Sequence, residues 1–191
     1  MTDIPLTTET AGPWLTSVLG QFPDDRIAAA QIEVLEGGAL AGAYRELLDH
    51  THHMTVTLEE RYGAPVHLEV LKVHHSGNSY SRKLILRAGE HGPVVLAGIM
   101  RFRLECVDQE VSEEILAAEI PLGRILIEHQ VLRKIETVAF LRFPLENSFG
   151  KLLDAAGKES FTYGRLAIIF CDGEPAVELL ELIPPGIQQG A

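Results

Sequence analysis

Two charged residues stand where the alternation of this chain calls for apolar ones. In Tyr80-Ser81-Arg82-Lys83-Leu84-Ile85-Leu86, Arg82 falls in step with Leu84 and Leu86, and in Ala176-Val177-Glu178-Leu179-Leu180-Glu181-Leu182-Ile183, Glu181 falls in step with Val177, Leu179 and Ile183. Side chains two apart on a strand point the same way, so both charges belong to the apolar face of a sheet. A buried charge without a partner is costly. Each therefore requires one: the other residue, as a structural ion pair, or a ligand. A guanidinium grips a carboxylate through parallel charge-assisted hydrogen bonds, and a sequestered carboxyl can accept a hydroxyl proton or remove one from carbon. Arg165, near the head of the apolar stretch 161–171, is a third candidate, as a second carboxylate ligand or as a rim charge.

Composition narrows the classes of function. The chain has 191 residues, enough for one domain with a substantial core, and 1–191 reads as a single domain with 1–38 as an N-terminal extension of undefined structure. A net charge of -11 excludes a reader of the phosphate backbone, so no nucleic-acid partner is expected. It also requires an anionic ligand to be caught by a few local cations. No segment approaches the roughly 20 uninterrupted apolar residues of a membrane span, and the start lacks the basic and apolar runs of a secretory signal. Cys106 and Cys171 read as small buried thiols of a reducing cytoplasm. Histidines at 50, 52, 53, 74 and 75 suggest a metal, but adjacent ones diverge and no Cys or Asp completes a set at zinc-site spacing. We expect no metal and read these histidines as solvated or partner-facing.

The elements that must position these groups follow from period and punctuation. An apolar helix is expected around Trp14–Leu19, another near 39–49 with Leu40, Tyr44, Leu47 and Leu48 at helical spacing, and a third from a Thr55 cap to a Gly63 stop. Strands are expected at 65–74, 79–88 and 93–107, joined by glycine-containing turns. In the last of these, Arg101 and Arg103 face away from Met100, Phe102 and Leu104 and read as solvated. A helix over 108–119 opens at Asp108 and stops before Pro121, and a short turn covers Arg124–Ile127. A strand at 130–143, a helix near 146–156, and strands at 161–171 and 175–183 complete the chain. Asp172-Gly173 marks a tight hairpin between the last two. The fold class is α+β: an antiparallel sheet of about six strands with helices packed on one side.

Several short segments, in order, resemble the chorismate pyruvate-lyase family, whose fold is shared by ligand-sensing UTRA domains. They are Leu47-Leu48-Asp49 with Met54-Thr55 and the helix to Gly63, Ser81 to Leu86, Leu96-Ala97-Gly98, Pro121 to Leu126, and Gly173-Glu174-Pro175 with Glu181-Leu182-Ile183 and the following prolines. The resemblance implies a lyase converting chorismate to 4-hydroxybenzoate and pyruvate, usually in ubiquinone precursor supply, or a relative acting on a similar small aromatic or cyclic acid. The alternative is a non-catalytic domain that binds such an acid. On this resemblance Arg82 would hold the ring carboxylate, the backbone at Leu122 and Gly123 would hold ligand oxygens, and Met54 and Thr55 would cover the ligand. Glu181 would be the catalytic residue, meeting the ligand hydroxyl, and no cofactor would be required. Loss of the enolpyruvyl group together with the neighbouring ring proton aromatises the ring, so the substrate supplies the driving force and the protein positions it. Two departures stand out. Ile99-Met100-Arg101-Phe102 replaces a small or basic residue followed by a proline, and one extra residue before Glu181 allows Glu178 as the alternative carboxylate.

Overall fold

In the computed structural model, residues 8–25, 27–35, 39–40, 42–153 and 159–187 are described. Gly37-Gly38 and the C-terminal end of the helix expected near 146–156 lie outside them. The strands are β1 (Glu33–Leu35), β2 (Val66–Ser76), β3 (Ser79–Ala88), β4 (Val94–Arg103), β5 (Arg133–Pro144), β6 (Phe161–Cys171) and β7 (Glu174–Leu182). The helices are α1 (Thr8–Leu19), α2 (Gly42–Leu48), α3 (Met54–Tyr62), α4 (Gln109–Ala117), α5 (Leu122–Glu128) and α6 (Ser148–Leu152). The protein is an α+β fold built on one seven-stranded antiparallel sheet, in the order β1-β5-β6-β7-β4-β3-β2. The strand beyond the expected six or so is β1, three residues long and too short to show an alternation.

The hairpins formed where turn chemistry placed them. Asp172 and Gly173 both take positive φ, 49° and 87°, as the tight turn between β6 and β7 demands. The third helix begins two residues earlier than expected: His53, not Thr55, precedes its first turn, and Gly63 closes it in the left-handed region at φ 62°. The expected turn at Arg124–Ile127 is a full helix, α5.

Helices cover both faces of the sheet rather than one. One face packs on α2, α3, α4 and α5 through residues such as Leu84, Leu86, Met100 and Phe102. The other packs on α1 and α6 through Ile85, Ala97, Ile99, Leu180 and Leu182. The middle strands are apolar on both sides, and such strands require cover on both sides. This second layer draws in charged residues, among them Arg101, which is expected from the alternation to be solvated. Arg101 lies beneath α1, where its Nη1 donates to Ser17 Oγ at 2.9 Å and to Glu178 Oε1 at 3.2 Å. Lys83 is buried there too, 2.8 Å from Asp25 Oδ2 and 2.9 Å from Ser148 Oγ. Glu178 is thus committed to the face opposite Glu181, which closes the register alternative raised by the extra residue.

Candidate functional site

Between the first face and helices α3 and α5 lies a cavity of about 600 Å3, its mouth included. The seven residues singled out from the sequence all border it: Arg82, Glu181, Arg165, Leu122, Gly123, Met54 and Thr55. Leu84, Leu86, Ile135 and Ile169 supply apolar wall. The ladder explains the convergence. Leu84 of β3, Gly98 of β4, Glu181 of β7 and Arg165 of β6 form one row across the sheet. Arg82, Met100 and Leu179 form the next row on the same face. Gly98 leaves the floor bare beside Glu181, and it could not carry a side chain: a Cβ there would lie 2.4 Å from the Leu180 carbonyl oxygen.

The pairing of charges decides what the site can do. Arg165 is 1% exposed and Glu181 8%. Arg165 Nε donates to Glu181 Oε2 at 2.5 Å, and its Nη1 donates to the carbonyls of Leu48 at 3.2 Å and His50 at 3.0 Å. Arg165 is therefore neither a rim charge nor an unoccupied ligand cation. It sits directly opposite Glu181, whereas Arg82 is two strands and two residues away, about 12 Å between Cα atoms from ladder spacing. The nearer cation takes the carboxylate.

Arg82 is left over. It is 1% exposed, no salt bridge reaches it among the described residues, and its Nε and Nη1 are buried without a hydrogen-bond partner. Burial pushes its guanidinium below the ordinary value, opposed by the nearby Tyr80. The Tyr80 hydroxyl is itself buried and makes no hydrogen bond of good geometry. The other buried charged side chains, Lys83, Arg165 and Glu181, all have ionic partners.

Residue by residue, the sequence reading missed His53. It was read as solvated or partner-facing, yet it borders the cavity at 8% exposure and accepts Arg133 Nε on its Nε2 at 2.5 Å. The signal was there in its place immediately before Met54-Thr55. Burial, then Arg133 and Arg165, push His53 down to about 4. The unfolded chain with an ordinary imidazole therefore binds the extra proton first, so His53 favours folding fully above about pH 6.5 and progressively less as pH falls toward about 4. Chemical denaturation at stepped pH should show stability falling through that window. A His53→Gln variant should show a shallower fall, and an identical profile would exclude His53 as the cause.

Among the described residues, no group of three or more His, Cys, Asp or Glu converges as a metal set. No described helix is long and apolar enough to cross a membrane. Both thiols are free, Cys171 buried and pushed up to about 11 by burial first.

No family model matches the chain, and no curated protein matches it. Solved structures do. A GntR-family transcriptional regulator from Bacillus cereus aligns at TM-score 0.45 and 8% identity, over 66% of this chain and 96% of that one. The possible transcriptional regulator YydK from Bacillus subtilis aligns at 0.46 and 10%, over 93% and 86%. PhnF from Mycobacterium smegmatis aligns at 0.44 and 11%, over 71% and 64%. No family assignment follows from likenesses of this size, and the site is read from its own geometry.

Proposed function

We propose that the cavity binds a small organic acid, with the carboxylate on Arg82 and an aromatic or cyclic body against Leu84, Leu86, Ile135 and Ile169. One observation carries this reading: Arg82 is the buried cation for which the described protein supplies no counter-charge, and it borders an apolar hollow. A buried charge is retained at a cost unless something pairs with it. A carboxylate answers that need with charge-assisted bonds. Met54, Thr55, Leu122 and Gly123 close the hollow over the ligand. The sequence resemblance points to acids of the 4-hydroxybenzoate and chorismate type.

Turnover of chorismate is the second reading, favoured by Glu181 lying in the same cavity. Its Oε2 is held by Arg165, while Oε1 accepts no hydrogen bond among the described residues. In that reaction the ether C–O bond breaks, enolpyruvate leaves with the electron pair and becomes pyruvate, and the ring proton is taken by a base. Binding ranks first because the carboxylate proposed as that base already serves an ion pair.

The test is direct. Titration with 4-hydroxybenzoate and related acids should raise the melting temperature, by an amount equivalent to about 2.7 kcal/mol at a hundredfold excess over Kd. Incubation with chorismate then separates the readings: pyruvate and 4-hydroxybenzoate that vanish in Glu181→Gln support turnover, and stabilisation without products supports binding. No stabilisation by any small acid would remove both.

A further inference from the structure

The charges on the cavity wall do not balance. Among the described residues that line it, three are ionised near pH 7: Arg82, Arg165 and Glu181. His53 also borders it, but burial, then Arg133 and Arg165, push its imidazole down to about 4, so it is neutral there. The rest of the wall is uncharged, with Leu84, Leu86, Ile135 and Ile169 among it. Arg133 touches His53 from a neighbouring groove, where it is partly exposed and where water and salt weaken its field.

Two of the three charges cancel. Arg165 Nε lies 2.5 Å from Glu181 Oε2, and both groups are buried. The carbonyls of Leu48 and His50 also accept from Arg165, which fixes it beside that carboxylate. Arg82 has no carboxylate partner among the described residues, and its Nε and Nη1 make no hydrogen bond. One uncompensated positive charge therefore remains on the β3 side, facing a neutral pair on β6 and β7.

A buried charge is costly unless it is paired, and this holds for a ligand's charges as it does for side chains. One carboxylate on Arg82 brings the cavity to neutrality. A second, carried on the opposite end of the ligand, would meet Glu181, a like charge whose own cation is already taken. Water at the mouth, past partly exposed Leu68 and Leu179, eases a charge left there. It does not reach one pressed against Glu181, which is 8% exposed. A neutral molecule of the same shape leaves Arg82 uncompensated.

We infer that the cavity is matched to a single negative charge: it takes organic acids with one carboxylate and an uncharged opposite end, in preference to the diacid and to the neutral molecule of the same shape. This deepens the acid-binding reading and rests on it. It also ranks an acid such as 4-hydroxybenzoate above chorismate, which is a dianion.

Three compounds of one shape test the match: terephthalamide, 4-carbamoylbenzoate and terephthalate, with no charge, one and two. Calorimetric titration at pH 7 should find 4-carbamoylbenzoate binding about tenfold or more tighter than either of the others, because like charges sharing a buried site repel and an amide leaves the cation unmatched. Glu181→Gln leaves two positive charges and should shift the preference toward terephthalate by about tenfold or more. Arg82→Met leaves no net charge and should shift it toward terephthalamide, which keeps the test open should Glu181→Gln fail to fold. Fumaramide, fumaramate and fumarate repeat the comparison with a smaller body. Terephthalate and fumarate binding as tightly as their monoacids, or a ranking unmoved by both substitutions, would overturn the single-charge match and leave the acid-binding reading standing. If neither set nor any other small acid binds, that reading falls and the match falls with it.

Discussion

Replacing Arg82 with methionine should make the ligand-free protein more stable and its cavity nearly blind to acids. The guanidinium is fully buried, and two of its nitrogens have no acceptor. Methionine keeps the length and packing while removing that desolvation penalty. Exchanging buried ionic groups for apolar ones of similar volume stabilises by about 1–4 kcal/mol, and the lower half of that range is expected because Tyr80 already eases the charge. The melting temperature should rise by about 2–8 °C for a chain of this size. Affinity for a carboxylate ligand should drop by about a hundredfold or more, since each hydrogen bond to a charged group contributes about 1.5–3 kcal/mol. Opposite signs in one variant are the signature of a functional charge. Calorimetry and ligand titration read both. A destabilised Arg82→Met protein would mean that the guanidinium is structurally satisfied, and unchanged affinity would place the acid elsewhere.

Removing Glu181 should have the opposite profile. With Glu181→Leu, Arg165 keeps the carbonyls of Leu48 and His50 but loses its carboxylate while remaining sealed from water. Breaking one partner out of a buried pair costs about 3–5 kcal/mol, which for this length lowers the melting temperature by about 6–20 °C. Glu181→Gln keeps an acceptor oxygen and should lose less. Adding Arg165→Met to Glu181→Leu should recover part of the loss, with the remainder reflecting the two orphaned carbonyls. A cost below about 1 kcal/mol, as for an exposed pair, would show that this bridge does not hold β6 to β7. Acid binding should survive Glu181→Gln, because the proposed anion site is on Arg82.

The contrast between these two arginines shows where the sequence stops. Alternation alone placed Arg82 and Glu181 on the apolar face, because the strand period of two needs only neighbouring residues. Hairpins were legible for the same reason: Asp172-Gly173 specifies its turn locally. Strand β1 was not, since three residues hold no period. The covered second face could have been inferred from Ile85, Ala97 and Ile99, which make the middle strands apolar on both sides.

That Arg82 and Glu181 must be buried, though not that Lys83 and Arg165 are, is written in the alternation, and so is the hairpin plan that brings strands 161–171 and 175–183 side by side. Which of those charges are satisfied is not. The sheet order sets Arg165 against Glu181 and leaves Arg82 two strands away, and the return of α3 and α5 over that face encloses the space between. Pair energies fall off with distance, and distances between remote segments exist only once the chain has closed on itself.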